Sequence, residues 1–222
     1  MKTNRLLTIV FLLIVVTPVM AQQKKLIKLD LPTLFKEHKL KGENRALTLS
    51  HVNSTHQGVA MGESSGGAGF AWLNDVSFDE GTVEFDIKGK DKIGGSFVGL
   101  AFHGVDETNY EAVYFRPFNF FNPDRKNHSV QYISIPGYDW DFLRTNYKGV
   151  YENEIKDAPK PNDWFHVRIM IGENNIQVFV NAESKPSLEV KPIKKGGGKR
   201  IGLWVGATSG GEWANLEIKK LK

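Results

Sequence analysis

Period-two alternation of apolar and polar residues is the strongest constraint on how this chain folds. Within Gly81–Lys88, apolar side chains occupy every second position, and Trp164–Ile171 and Asn175–Asn181 repeat the pattern. The stretch Gly172-Glu173-Asn174-Asn175 between the last two predicts a tight hairpin turn. Because alternate residues of a strand point to opposite faces, each segment can turn one face toward a core. The pattern therefore predicts an antiparallel β-sandwich.

Further strand candidates follow along most of the chain. They are Leu47–Val52, Gly58–Met61, Gly69–Leu73, Ser96–His103, Tyr110–Arg116, Ser129–Ile135, Arg200–Ala207 and Glu212–Leu221. Leu26–Leu31 also alternates, and we expect it to pair with the closing strand and tie down both ends of the fold. The helix prediction is limited to one short segment, Thr33–Leu40. Many strands, almost no helix and no linker predict an all-β, two-sheet antiparallel jelly-roll sandwich that forms a single domain over residues 22–222.

The first 21 residues are predicted to be a signal peptide and not part of the fold. Lys2 and Arg5 form a positive n-region, Leu6–Val16 is an apolar stretch too short to span a bilayer, and Val19-Met20-Ala21 is a small-residue cleavage site. No later apolar segment is long enough to be a membrane span. We therefore expect export, to the periplasm or the outside, after cleavage near Ala21.

Composition limits the kind of stabilisation and the kind of partner. The chain contains no Cys, so an exported domain of this sequence must rely on a buried core instead of disulfides. The formal net charge is only +4, and no basic stripe runs along the sequence. We therefore expect no nucleic-acid partner, and we expect a monomer.

Five segments carry a resemblance to a known superfamily. They read GTVEFDIKG at 81–89, SFVGLAFHG at 96–104, YEAVYFRPF at 110–118, WFHVRIMIGENNIQVFVN at 164–181 and GKRIGLWVGATSGGEWANLEI at 198–218. In this order they resemble the concanavalin A-like lectin/glucanase superfamily, in particular its laminin-G-like and 3-keto-disaccharide-hydrolase-type branches and an uncharacterised exported bacterial branch. The resemblance implies a jelly-roll fold that hosts hydrolases, lectins and adhesion modules alike. It also allows a structural calcium ion, which the sequence does not locate.

Glu84 and Asp86 are the first candidates for acid/base chemistry. They lie two residues apart on one strand, so their side chains share a sheet face about 6.6 Å apart along the strand. Family-sixteen glycoside hydrolases of this fold carry a third acid on the strand, but positions 88 and 89 are Lys and Gly here. We therefore reject that mechanism and interpret the pair as an exposed polar face, with Glu84 kept as a catalytic candidate.

A second group of candidates surrounds Arg116. Tyr114 and Arg116 point to one face of their strand, and Asn119 follows shortly after it. His103, near the end of the preceding strand, is expected at the margin of this group together with Gln131. An Arg fork, a phenol and amides on one concave face suit a ligand rich in hydroxyls or a carboxylate. The alternative is that local carbonyls or Glu111 satisfy Arg116 as a structural residue.

The segment 136–154 is long for a connection and carries Tyr138, Trp140, Arg144, Tyr147, Tyr151 and Glu152. Long ordered loops are often functional, and Trp140 is the natural platform for stacking on a sugar ring. The alternative is a loop that buries its own rings. Glu152 and Glu154 add two further catalytic candidates.

The site prediction is that Tyr114, Arg116, Asn119, Gln131 and Trp140 converge on one concave face that binds a carbohydrate. Two functions of different classes remain open. We favour an exported carbohydrate-binding or carbohydrate-processing domain, and a module that only binds needs no more than the aromatic and Arg surface. A glycoside hydrolase of the 3-keto-glycoside type needs an acid or base nearby, for which Glu84, Glu152, Glu154 and His103 are the candidates. A non-catalytic adhesion or interaction module is a further alternative.

Overall fold

A computed structural model of the protein describes residues 26–51, 54–193 and 197–221, and almost all of its regular structure is β-strand. The predicted signal peptide lies outside the described residues. The strands are β1 Leu26–Leu29, β2 Leu40–Glu43, β3 Leu47–His51, β4 Gln57–Met61, β5 Gly69–Leu73, β6 Gly81–Lys88, β7 Val98–Asp106, β8 Asn109–Phe115, β9 Val130–Ile135, β10 Glu152–Asn153, β11 Phe165–Ile171, β12 Ile176–Val180, β13 Leu188–Val190, β14 Arg200–Val205 and β15 Gly211–Lys220. The helices are α1 Leu31–Lys36, α2 Trp140–Asn146 and the short 3-10 turns Pro117–Asn119 and Lys126–His128.

The strands form two antiparallel sheets. The eight-stranded sheet has the order β13-β12-β11-β6-β15-β4-β3, with β1 also paired to β15. The seven-stranded sheet has the order β10-β9-β8-β7-β14-β5-β2. The hairpin turn between β11 and β12 closes through a hydrogen bond from Gly172 N to Asn175 O, as the sequence predicts. The predicted jelly-roll sandwich is confirmed.

The main core lies between the sheets and follows the sequence alternation. On β6, Val83, Phe85 and Ile87 are fully buried, and Ile169 on β11 and Val178 on β12 join them. Burying an aliphatic or aromatic side chain of this size contributes roughly 1.5–3 kcal/mol each. The alternating residues therefore hold the two sheets together.

The ends of the described chain are joined as expected. Strand β1 pairs antiparallel with β15, with Ile27 opposite Ile218 and Leu29 opposite Leu216. Of the described helices, none has the length and apolar character needed to cross a membrane.

The structure corrects the bounds of the predicted helix and the prediction of a long loop. The helix predicted over Thr33–Leu40 occupies Leu31–Lys36, because Asp30 caps its N terminus by accepting from Thr33 N and because His38, with φ 57°, ends it. The segment predicted as a long loop at 136–154 contains α2 and β10. Asp139 begins α2 by accepting a hydrogen bond from Phe142 N at 2.8 Å.

Candidate functional site

One cross-strand row on the outer face of the seven-stranded sheet organises the candidate site. From β14 to β10 the row reads Trp204, Gly99, Tyr114, Gln131 and Glu152, each opposite the next. Residues opposite one another on neighbouring strands lie close enough for their side chains to interact. The row therefore changes across the sheet from aromatic rings to a carboxylate.

Gly99 lets the two largest rings of the row meet. A Cβ added at this position lies 2.8 Å from the Cβ of Tyr114, and it lies 2.1 Å from the carbonyl oxygen of Val113. With no side chain between them, the rings of Tyr114 and Trp204 come to a centroid distance of 4.9 Å. Burial raises the pKa of Tyr114 to about 12, so its phenol stays protonated and can donate a hydrogen bond.

The first cavity on this face, called here the aromatic compartment, has a volume of about 220 Å³. Its walls are mainly ring and aliphatic side chains. They comprise Ala68, Phe97, Tyr110, Tyr114, Ile133, Ile135, Asp139, Trp140, Trp204, Gly206 and Ala207.

The second cavity, called here the arginine compartment, has a volume of about 400 Å³. Its walls carry three guanidinium groups. They comprise Ile93, Gly94, Phe97, Arg116, Phe118, Asn119, Asp124, Arg125, His128, Trp140 and Arg144. Phe97 and Trp140 line both compartments, so the two cavities adjoin and form one cleft.

Arg116 lies at the buried side of the arginine compartment. Its Nη2 donates to the phenol oxygen of Tyr114 and to Oε1 of Gln131, each at 2.7 Å. Its Nη1 donates to the carbonyl of His128 at 3.0 Å. Burial lowers the pKa of Arg116, although the guanidinium stays charged. The alternative that Arg116 is a structural residue, satisfied by local carbonyls or by Glu111, is therefore partly correct. The local carbonyl of His128 accepts from it, but Glu111 is not among its described partners.

Glu152 is the carboxylate behind the arginine compartment. Arg144 donates to it through Nε at 2.9 Å and Nη2 at 2.6 Å, and Arg116 Nη1 lies 3.8 Å away. His128 Nδ1 lies 2.8 Å from Glu152 Oε2, close enough for an ion pair but without hydrogen-bond geometry. Although burial raises the pKa of Glu152, the hydrogen bonds from Arg144 and the surrounding positive charges lower it overall. Glu152 is therefore an ionised anchor for the cationic wall.

Helix α2 supplies the outer wall of the cleft. Its first residue, Trp140, is 47% exposed, and the guanidinium carbon of Arg144 lies 5.1 Å from the centre of the Trp140 ring. Leu143 anchors the helix by packing into the apolar cluster on the outer face of the seven-stranded sheet. The helix thus presents a ring and a cation side by side to the cleft.

The structure brings most of the predicted ligand-binding residues together. Arg116, Asn119 and Trp140 line the arginine compartment, and Tyr114 lines the aromatic compartment beside it. Gln131 lines neither cavity but holds Arg116 in place. Their role in ligand binding stays a prediction.

The structure does not place His103 at the margin of the site. In an antiparallel hairpin the end of β7 lies beside the start of β8, whereas Arg116 follows the end of β8. A bulge and a φ of 49° also turn His103 to the interior, where its Nδ1 lies 2.8 Å from Glu111 Oε1. The phenol of Tyr132 donates to the other oxygen of Glu111 at 2.5 Å. His103 is therefore part of a buried polar network inside the sandwich.

Two of the carboxylate candidates also lie away from the cleft. Glu84 and Asp86 alternate with core residues of β6, so they lie on the outer face of the other sheet, where His166 contacts both. Glu154 forms an ion pair with Lys126 at 2.7 Å and lines neither compartment. Of the four catalytic candidates, only Glu152 borders the site.

The sequence reasoning missed several residues of the cleft. Phe97 is revealed by the pairing of β7 with β8, because the register that pairs Val98 with Phe115 places Phe97 opposite Arg116. Trp204 could have been found from the alternation of β14, because it stands between Leu203 and Val205, which face the main core. It shares a cross-strand row with Tyr114. Arg125 and His128 lie in an irregular connection between β8 and β9, where no sequence period predicts a direction.

The described residues also bear on metal binding. Within residues 26–51, 54–193 and 197–221, no group of three or more His, Asp or Glu side chains is placed to hold a metal ion. The calcium ion that the resemblance allows therefore has no assigned position.

Comparison with known proteins agrees at the level of the fold. The sequence matches no protein-family model and no curated protein. Among solved structures, the carbohydrate binding module CBM66 from Bacillus subtilis is 14% identical, with a TM-score of 0.58 over 82% of this chain and 96% of that chain. A Bacillus subtilis protein of unknown function with a galectin-like fold is 10% identical, with a TM-score of 0.55 over 82% and 90% of the two chains.

A third similar structure is the exoplasmic/lumenal domain of VIP36 in its Ca²⁺/Man3GlcNAc-bound form. It is 12% identical, with a TM-score of 0.51 over 79% of this chain and 82% of that chain. These identities are too low to carry residue roles from one protein to another, but the architectures agree over most of each chain. The chain therefore has the same antiparallel β-sandwich fold as these structures, as the resemblance of its five segments predicts.

Proposed function

We propose that the protein is an exported carbohydrate-binding protein that holds a glycan in the cleft formed by the aromatic and arginine compartments. Trp140 and Phe97 form the shared wall of the two cavities, and Arg116 and Asn119 face the ligand from the inner side. Tyr114 contributes to the aromatic compartment, and Gln131 supports Arg116. Export follows from the predicted signal peptide at residues 1–21.

The observation that carries this proposal is the position of Trp140. Nearly half of its surface is exposed at the junction of two cavities, although a ring of this size gains free energy from burial. The C–H face of a sugar ring is apolar and flat, and its hydroxyls point outward from the edge. An exposed ring beside hydrogen-bonding groups matches both features.

Unused polar groups in the cleft add to this argument. The buried side-chain oxygen of Asn119 accepts no hydrogen bond from any described residue, while its Nδ2 donates to the carbonyl of His128. Arg144 uses Nε and Nη2 on Glu152, and its Nη1 donates to none of the described residues. An acceptor and a donor thus remain for ligand hydroxyls.

The fold neighbours give independent support for a carbohydrate ligand. One of the similar structures is described as a carbohydrate binding module, and another was solved with Man3GlcNAc bound. The same fold also carries hydrolases, so the neighbours alone do not choose between binding and catalysis.

The surroundings of Glu152 favour binding over hydrolysis. The proton donor of a glycosidase has a raised pKa, whereas that of Glu152 is lowered by its contacts with Arg144. Its two oxygens are also occupied by the Arg144 guanidinium. A 3-keto-glycoside hydrolase activity is therefore the second candidate.

A glycan array and a hydrolysis screen on the secreted protein together test the proposal. The hydrolysis screen includes 3-keto-glycosides. Retention without turnover is the expected result. Turnover that is lost in Glu152→Gln would replace binding by catalysis as the function. If both assays are negative, the carbohydrate proposal is wrong and the adhesion alternative is favoured.

A further inference from the structure

We infer that the glycan recognised by this cleft is acidic, with a sugar carboxylate placed in the arginine compartment. The inference rests on the proposed function and adds the chemical class of the ligand. It is based on the excess of guanidiniums over carboxylates in the wall of the arginine compartment, on the free hydrogen-bond donors of the arginines and on the planar wall beside them.

The charge of the arginine compartment is incompletely balanced. Arg116, Arg125 and Arg144 line it, and Asp124 is the one carboxylate in its wall. Glu152 lies behind the wall, Asp141 interacts with Arg144 from the helix, and Asp139 lines the adjoining aromatic compartment. Three guanidiniums against one carboxylate leave the wall of the arginine compartment with an excess of positive groups. The nearby Lys126 and Glu154 neutralise each other at 2.7 Å. The surplus therefore belongs to the compartment itself.

The ion pairs are unequally distributed among the three arginines of the compartment. Glu152 is shared, since both Arg144 at 2.6 Å and Arg116 at 3.8 Å lie beside it. Arg125 forms no ion pair or side-chain hydrogen bond with any residue in the described ranges, and it lines the cavity. A ligand anion would meet an unpaired guanidinium there.

Free donors are present on the arginines that do have partners. Arg144 donates hydrogen bonds through Nε and Nη2 to Glu152, and its Nη1 has no partner among the described residues. Arg116 donates hydrogen bonds through Nη1 and Nη2 to neutral oxygens, and its Nε has no hydrogen-bond partner among the described residues. A carboxylate accepts two parallel hydrogen bonds in its plane, which suits guanidinium groups better than a single ammonium charge.

The planar wall limits which anion fits. Trp140 and Phe97 both line the arginine compartment as well as the aromatic one. A charged sugar ring can stack on these rings while its carboxylate reaches the arginines. A small inorganic anion would use the charge alone and leave the rings without a contact.

Matched pairs of glycans provide the test. Oligogalacturonate and oligomeric alginate are compared with their carboxyl-reduced forms, which keep the linkages and lose the charge. Dextran sulfate and dextran form a parallel pair for sulfate. Binding is measured by isothermal titration at low and high salt. We expect at least one acidic oligomer to bind about tenfold or more tightly than its carboxyl-reduced form, with affinity that falls as salt rises.

Two arginine variants with the same loss of charge locate the effect. Arg125→Gln removes the unpaired guanidinium of the cleft, and Arg168→Gln removes one from the opposite sheet, where Arg168 lies over the Phe179 ring. We expect Arg125→Gln to weaken binding of the acidic oligomer about fivefold or more, and to weaken it more than binding of the carboxyl-reduced oligomer. Arg168→Gln should leave both unchanged.

The outcomes separate this inference from the proposed function. If neutral and carboxyl-reduced glycans bind as tightly as acidic ones, the inference is wrong and the carbohydrate proposal stands. If only dextran sulfate is retained, the carboxylate assignment is wrong. Loss of affinity in Arg168→Gln as large as in Arg125→Gln would show attraction by overall charge and also overturn the inference. If no glycan binds at all, the proposed function fails together with it.

Discussion

At the scale of single residues, Trp140 separates ligand binding from folding. Trp140→Ala removes an exposed ring from the wall that both compartments share, so little stability should be lost. We expect the dissociation constant for a bound glycan to rise about tenfold, which corresponds to about 1.4 kcal/mol. Isothermal titration measures the affinity, and thermal unfolding checks the fold.

Phe142→Ala is the matched control for Trp140→Ala. Phe142 lies on the same helix and is 41% exposed, but it lines neither compartment and packs against Tyr138 and Tyr147. Its loss should leave glycan affinity unchanged. Equal weakening by the two variants would mean that the helix, and not the Trp140 ring, determines binding.

Arg116 combines a site position with a structural role. Arg116→Ala leaves the Tyr114 phenol and Gln131 Oε1 without this donor in a buried setting, whereas the His128 carbonyl keeps the hydrogen bond from Asn119 Nδ2. We therefore expect a loss of about 1–3 kcal/mol in the free energy of unfolding. The sequence alone suggests that this variant keeps its stability, and the burial of Arg116 revises that expectation.

Urea unfolding measures the effect of Arg116→Ala. Arg116→Lys provides the comparison, because a Lys keeps the charge but has no fork to reach three acceptors. We expect Arg116→Lys to recover less than half of the lost stability. Full recovery would show that charge alone, and not the hydrogen bonds, makes Arg116 stabilising.

At the scale of elements, α2 depends on its N-terminal cap. Asp139 accepts a hydrogen bond from Phe142 N, and the helix that follows carries both Trp140 and Arg144. Asp139→Ala should destabilise the helix by about 1 kcal/mol. We expect faster hydrogen exchange at the amides of α2 and weaker glycan binding.

Asp141→Ala is the control for the cap, since Asp141 is exposed and lies in the first turn without a capping hydrogen bond. Its loss should change amide exchange in α2 much less. Equal acceleration by the two variants would assign the effect to negative charge near the helix N terminus and not to the cap of Asp139.

At the scale of the whole molecule, the buried His103 network predicts how stability depends on pH. Burial lowers the pKa of His103, but hydrogen bonds to Glu111 and to the Asp79 carbonyl raise it above 6.5 overall. Its contribution to stability is therefore complete below about pH 6.5 and is lost as the pH rises through the raised value. The lowered pKa of Glu152 acts at acid pH. Stability therefore also falls in acid, as that carboxylate takes up a proton.

Urea unfolding from pH 6 to pH 9 tests the contribution of His103. We expect the free energy of unfolding to decrease with rising pH in the wild type and to decrease less in His103→Gln. His166, whose pKa is raised by Asp86, acts in the same direction, but its half-exposed side chain weakens the effect. If His166→Gln removes the pH dependence and His103→Gln does not, the buried network is not its source.

The predicted export signal is also a property of the whole chain. Mass spectrometry of the protein recovered from the periplasm or the medium should find Gln22 as the first residue, because cleavage is expected after Ala21. A chain that begins at Met1 in those fractions would overturn the cleavage prediction. The domain limits of 22–222 stay a prediction alongside it.

Local periodicity explains why the sequence by itself determined the fold. Alternation over β6, β11 and β12 depends only on neighbouring residues, so the faces of Val83, Ile169 and Val178 could be assigned without any knowledge of packing. Helix α2 escaped prediction because its seven residues are too few to show a helical period. Its existence depends on the Asp139 cap and on Leu143 packing against the sheet.

Only the tertiary structure decided which side chains meet. The parity of Tyr114 and Arg116 is a property of one strand, but their neighbours Phe97 and Gln131 follow from the register between strands. His103 was misplaced because a bulge reverses its direction, and no local pattern reports a bulge. Arg125 comes from the connection between β8 and β9, and Trp140 and Arg144 come from the connection after β9, so their meeting depends on how both connections fold over the sheet. Strand faces are therefore readable from the chain, whereas the cleft exists only once the sheet has brought its loops together.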